Sequence, residues 1–195
     1  MASNSKSQEA VLKLWTLLHR VRDRLVLCED SIFSEFGLTM EQFALLAAVR
    51  AWDGSLRPSE LAAILGRSPN SVSMLVDRMV KDGLVKRTRD RKDRRVVNVS
   101  LTGKGEKAVV EAAPAGWELF QKLLSPVSDK DRHALVGLLE TIKCECVGYL
   151  NPKMDMADVI KNSVTNRRDL YKEWTKTFPS AGQARRQDGK KGKTR

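Results

Sequence analysis

The stretch from Pro58 to Leu101 constrains the fold more than any other part of the chain, because its punctuation leaves the backbone few choices. Pro58 opens a short helix at a first-turn position, where its missing N–H is no loss, and Gly66 closes it. Ser68-Pro69 starts a second helix, Ser68 as the cap and Pro69 fixing the first turn. Val72, Leu75, Val76 and Met79 fall on one face of that helix, and Gly83 ends it. Leu84-Val85-Lys86-Arg87-Thr88 follows, then a charged turn from Arg89 to Arg94, then Arg95-Val96-Val97-Asn98-Val99-Ser100-Leu101. Short β-branched runs on either side of a polar turn predict a two-stranded hairpin.

Helices surround this unit. Apolar residues from Glu9 to Phe36 recur at helical intervals (Val11, Leu14, Trp15, Leu18, Val21, Leu25, Ile32, Phe33, Phe36), with Gly37 as the stop. Thr39 and Gln42 form a capping box that leads into Phe43, Leu45, Leu46 and Val49. Asp53-Gly54-Ser55 has turn chemistry. Thr102 caps a later helix carrying Val109, Val110, Trp117, Phe120 and Leu124, which Pro114 and Gly116 are expected to kink or interrupt. Ser128 and Asp131 begin another, with Leu135, Leu138, Leu139, Ile142 and Val147, and Asn151-Pro152 ends it. The spacing of Ile160, Val164, Tyr171, Trp174 and Phe178 predicts a further helix. The chain thus divides into an N-terminal helix over 1–36, a central unit over 37–102, C-terminal helices over 103–150, an additional helix over 151–178 and a tail over 179–195. The fold class is mainly α with one small β-hairpin.

Charge narrows the partner. Lys and Arg number 35 against 24 Asp and Glu, a formal charge of +11, which favours a polyanion, nucleic acid before an anionic membrane surface. Residues 86–95 and 179–195 each carry a net +5, and everything else together a net +1. The second segment is rich in Gly, Lys and Arg and has no large aliphatic side chain, a composition of disordered tails. The longest apolar run, Phe43 to Val49, has seven residues, far short of the roughly twenty of a bilayer span. Residues 1–8 do not resemble a signal peptide, and three cysteines suit no disulfide framework. The expectation is an intracellular, cytoplasmic protein with no membrane association.

Two short helices joined by a tight turn, the second opening on small polar residues, match a helix-turn-helix, and the hairpin makes it a winged one. Leu61, Ile64, Val72, Leu75 and Met79 form the seam between the two helices. Ser68, Asn70, Ser71, Ser73, Met74 and Arg78 are the candidate DNA contacts of the recognition helix, with Asp77 on the same face. Asn can pair with an adenine edge, Met can meet a thymine methyl, and the helix N-terminus favours phosphate. In the wing the candidates are Arg87, Arg89, Arg91, Lys92, Asp93, Arg94 and Arg95, a guanidinium-rich tip suited to the minor groove or its phosphates. Asp93 is close enough in sequence to brace Arg95. Arg78 either braces its helix through Asp77 or Asp82 or touches phosphate, and Asn70, Ser71 and Ser73 either contact DNA or merely cap and solvate a helix start.

The run Leu38-Thr39-x-x-Gln42-x-x-Leu45-Leu46, Glu60-Leu61-Ala62, Val72-Ser73-x-Leu75-Val76-Asp77-Arg78-Met79, Gly83-Leu84-Val85-x-Arg87, Asp90-x-x-Asp93-x-Arg95 and Val99-x-Leu101-Thr102-x-x-Gly105 resembles the MarR transcriptional regulators, in that family's order. The resemblance implies a homodimer whose N- and C-terminal helices interlock, so that the winged helix-turn-helix is flanked by dimerisation helices. It implies recognition helices in successive major grooves of a pseudo-palindromic double-stranded operator. It further implies a repressor answering to a small, often aromatic ligand or to an oxidant. Two residues depart from the pattern: Met74 where relatives carry Arg or Lys, and Arg57 where a capping Ser or Thr is usual, an Arg that could hold a phosphate instead.

Trp15, His19 and Arg22 are a candidate effector pocket on the first helix; the alternative is a surface His and a salt-bridging Arg. Cys28 is the candidate redox sensor of an alternative reading, although Glu29 and Asp30 beside it disfavour a thiolate. Cys144 and Cys146 point apart on one helix and suit packing better than a bridge. A winged-helix module docking on an acidic protein is a further alternative. An enzyme is not expected, since His19 and His133 lie on separate helices with no phosphate loop, nucleophile elbow or metal-ligand spacing around them. No metal or cofactor is expected either.

Overall fold

The computed structural model describes residues 2–52, 55–89 and 97–152. In chain order these form α1 (Ala2–Ser34), α2 (Met40–Ala51), β1 (Ser55–Leu56), α3 (Pro58–Leu65), α4 (Pro69–Lys81), β2 (Val85–Arg89), β3 (Val97–Leu101), α5 (Gly103–Leu124) and α6 (Asp129–Leu150). The helix predicted over 151–178 and the basic tail lie outside the described residues.

The predicted caps form. Gln42 N donates to Thr39 Oγ1 at 3.2 Å while Thr39 N donates to Gln42 Oε1 at 3.0 Å, the reciprocal box that starts α2. Ser68, Thr102 and Ser128 each accept a bond from the backbone three residues on, starting α4, α5 and α6. After α4, Gly83 adopts φ 69°, a left-handed turn that strains any residue with a Cβ.

The seven-residue apolar run becomes the centre of the core. Leu45, Leu46, Ala48 and Val49 of α2 are fully buried, and α1, α3, α5 and β3 pack around them. Phe33 at the end of α1 stacks on Phe43, ring centroids 4.0 Å apart and planes 13° from parallel. Leu61, Val72, Val76 and Met79 join from α3 and α4, Val85 and Val99 from the strands, Val109 from α5.

Two expectations change. The wing sheet has three strands, not two, in the order β1-β3-β2, all antiparallel. Ser55 and Leu56 pair with Ser100 and Val99. A two-residue strand has no period to read, so its sequence shows only the turn before it. Secondly, of the two outcomes expected at Pro114 and Gly116, a kink or an interruption, the interruption does not occur: α5 runs through both as one helix. Ala112, Ala113 and Gly116 are buried, so packing on the core holds this segment helical. The carbonyl that Pro114 leaves unbonded belongs to Val110, a residue on the solvent side.

Outside the core the apolar pattern goes uncovered. Val11, Leu14, Trp15, Val21 and Leu25 of α1 are exposed, as are Leu135, Leu138 and Leu139 of α6, and no residue of α6 is buried. Among the described residues no helix is long and apolar enough to cross a membrane.

Candidate nucleic-acid interface

The seam predicted between α3 and α4 is present. Leu61, Val72, Leu75 and Met79 are buried, with Ile64 packed against them. Burying that face turns the other side of α4 outward. Asn70, Ser71, Met74, Asp77 and Arg78 are exposed, Met74 at 58%. Ser73, expected on the same face, is only half-buried and sits at its margin.

At the start of α4, Ser68 Oγ accepts the Ser71 N–H at 3.1 Å and lies 2.8 Å from Ser71 Oγ. Both hydroxyls are therefore engaged in capping, and Asn70 and Met74 are left as the side chains standing clear. The first-turn amides around them carry the positive end of the helix dipole, which suits a phosphate.

β2 lies beside this helix and exposes Lys86, Arg87, Thr88 and Arg89. Arg87 Nη1 reaches Asp77 Oδ1 at 2.8 Å, an ion pair that ties the wing strand to α4. Asp77 thus holds Arg87 and not Arg78, contrary to the braced reading of Arg78. Asp82 is engaged as well, accepting from Gln42 Nε2 at 3.2 Å. Arg78 pairs with no described carboxylate. Arg91, Lys92, Asp93, Arg94 and Arg95, and with them the Asp93–Arg95 brace, lie outside the described residues. Arg57 faces its own helix: its N–H donates to Glu60 Oε2 at 2.8 Å and its Nε lies 3.5 Å from Glu60 Oε1.

A junction behind the interface was readable only as a helix cap. Thr102 Oγ1 accepts the Gly105 N–H at 3.1 Å and donates to the Gly83 carbonyl at 2.6 Å, and Thr102 N donates to the Leu84 carbonyl at 3.1 Å. Lys104 Nζ donates to the Asp82 carbonyl at 2.8 Å. Gly105 presses on the same turn so closely that a Cβ there would stand 2.0 Å from the Leu84 oxygen. The spacing Leu-Thr-x-x-Gly therefore has a mechanical meaning. It locks the turn between α4 and β2 onto the first turn of α5.

Trp15 and His19 meet edge to face, centroids 4.9 Å apart, on an exposed face of α1. Arg22 Nη2 turns to Asp23 Oδ1 at 2.7 Å. The three share a helix face, but the arginine's charge is already met. Cys28, Cys144 and Cys146 are free thiols, Cys28 half-buried. Beside it, burial raises the pKa of Glu29 above the ordinary glutamate value, and the Asp30 carboxylate adds to the shift. Asp30 in turn accepts the Met40 N–H at 2.7 Å.

Against known proteins, residues 36–96 match the model of the MarR family. The HTH-type transcriptional regulator YwaE of Bacillus subtilis is 28% identical over 143 residues, covering 73% of this chain and 82% of that one. The HTH-type transcriptional repressor MdtR of the same organism is 32% identical over 95 residues, 49% of this chain and 61% of the repressor. Among solved structures, a cysteine-to-serine mutant of E. coli MarR in complex with operator DNA superimposes with a TM-score of 0.63 at 25% identity, covering 68% of this chain and 95% of that one. With that fold, built on a helix-turn-helix whose wing is tied to the helix before it, the chain is similar in sequence and in structure to the MarR family of transcriptional regulators.

Proposed function

We propose that this regulator is a homodimeric repressor that reads a pseudo-palindromic operator and is released by a small aromatic or phenolic ligand. The exposed face of α4, with Asn70, Met74 and Arg78 beside the basic strand β2, carries the reading. A helix seated on a buried seam presents short and adaptable side chains where a major groove can receive them. The uncovered apolar faces of α1 and α6 support a two-fold assembly, because folding leaves them unburied. MdtR, a repressor by name, and the operator-bound MarR structure support the regulatory sense. The exposed Trp15–His19 pair supports an aromatic effector, Trp15 offering its face and His19 a polar edge.

In gel-shift titration on the gene's own upstream DNA, the half-site centres should lie about 10 base pairs apart. Binding there should be at least about a thousandfold tighter than on random duplex, and charge reversal at Arg91 and Arg95 should abolish it. Equal affinity for both DNAs would make the chain an architectural binder, and binding that survives charge reversal would favour a protein-docking wing. Titration of the complex with salicylate or a chlorophenol tests release, and the alanine variants of Trp15 and His19 test the site.

A further inference from the structure

We infer that Met74 determines one base of each operator half-site: its side chain reads the C5-methyl group of a pyrimidine in the major groove, thymine in ordinary duplex. The inference deepens the repressor reading above and rests on it.

The packing of α4 decides where Met74 stands. Val72, Leu75, Val76 and Met79 are its buried residues, and they fix which side of the helix meets the core. At 100° per residue the centre of that seam lies roughly 150° from Met74. Met74 therefore occupies the crown of the helix, with Asn70 and Arg78 one turn to either side. Around it Asn70, Ser71, Asp77, Arg78 and Lys81 are exposed and polar or charged. From α2 to β3, the exposed large apolar side chains among the described residues are Met74, at 58%, and Val80, at 39%. Val80 lies about 120° away around the helix, toward the edge of the seam. The point of α4 that would enter a groove deepest is thus held by an apolar group that folding leaves uncovered.

The chemistry of the groove narrows what can meet it. Each group that a base pair shows in the major groove is a hydrogen-bond donor or acceptor, except the C5-methyl of thymine. A thioether has no donor and is only a weak acceptor. Against a phosphate, or against the N7 and O6 of guanine, Met74 would displace water and return no hydrogen bond. Against a methyl group it loses nothing and buries apolar surface. Its unbranched, adaptable chain can follow that methyl group across the groove floor. The hydrogen-bonding side chains that flank it, Asn70 and Arg78, are left for base edges and phosphates.

The test begins with the full chain selecting bound sequences from a pool of randomised duplexes. Affinities for the enriched operator are then measured by fluorescence anisotropy. Replacing one thymine by deoxyuridine removes the methyl group and nothing else. One thymine in each half-site should respond, about fourfold weaker when a single half-site is changed and about fifteenfold when both are, the worth of one small apolar group at each. At the same position 5-methylcytosine should bind about fourfold tighter than cytosine, which separates the methyl group from the rest of the base pair. Met74→Ala should bind thymine and deoxyuridine duplexes equally, and Met74→Leu should keep the preference. An enriched operator indifferent to deoxyuridine at every thymine would overturn the inference, as would a thymine preference that survives Met74→Ala. A pool that yields no enriched sequence would overturn the repressor reading first, and the inference with it.

Discussion

Gly105 shows how one residue can be fixed by what is next to it. Its backbone is helical and exerts no demand for glycine, yet a methyl group there would enter the Leu84 carbonyl. Because the obstacle is backbone at a hydrogen-bonded turn, it cannot move aside cheaply. Gly105→Ala should cost about 3 kcal/mol, the upper end of ordinary overpacking, measured by denaturant unfolding. Glu29 makes a second prediction at this scale. Its folded pKa is raised, chiefly by burial, so the folded state holds its proton more tightly than the unfolded chain does. That contribution to stability is present below the ordinary glutamate pKa and is lost as pH rises through the folded value. Glu29→Gln should therefore be more stable than wild type at neutral pH, with the difference vanishing in acid. Thermal melts across the acid range check it.

At the level of elements, the ion pair between Asp77 of α4 and Arg87 of β2 couples recognition helix to wing. Both side chains are well exposed, so the pair adds less than about 1 kcal/mol to stability. Under the proposed function its effect belongs to DNA binding, because Asp77 would place a negative charge on the face offered to phosphates and occupies a cation that could contact one. Asp77→Ala should leave unfolding nearly unchanged and tighten binding to random duplex. The slope of log affinity against log salt should steepen by about 0.9, one phosphate contact. An unchanged slope would place Arg87 away from the backbone. Thr102 is the corresponding tie at the other end of the wing, bonding α5 to the turn before β2. Thr102→Val removes that hydroxyl while keeping the shape, and should cost about 1–3 kcal/mol in unfolding because the Gly105 N–H loses its acceptor.

Across the whole molecule, the core explains one half of the apolar pattern and leaves the other half exposed. α2 sits at the centre of the buried cluster, whereas the N-terminal part of α1 and all of α6 bury nothing fully. Amphipathic helices of this length are rarely stable uncovered, so a second copy is the natural cover. Leu138→Glu, on α6 and 64% exposed, should shift the sedimentation mass toward the monomer and weaken operator binding together. A monomer that still binds the operator at full affinity would separate assembly from DNA reading.

Much of this was legible beforehand because it is local. Caps at Thr39, Ser68, Thr102 and Ser128, the glycine after α4, and the seam of Leu61, Val72, Leu75 and Met79 are set by spacings of three to four residues, which the helix period makes readable. The pairing of Ser55 and Leu56 with β3 was not, since two residues carry no alternation. Nor was the continuity of α5 through Pro114, where burial of its neighbours outweighs a lost hydrogen bond. Spacing along the chain carries the order of the helices and of the two longer strands, the caps and which face of each helix is apolar. Only the tertiary structure decided that Asp77 engages Arg87 and that Gly105 abuts Leu84. Those contacts join segments distant along the chain, and local periodicity carries no information about which side chains the packing of two elements brings face to face.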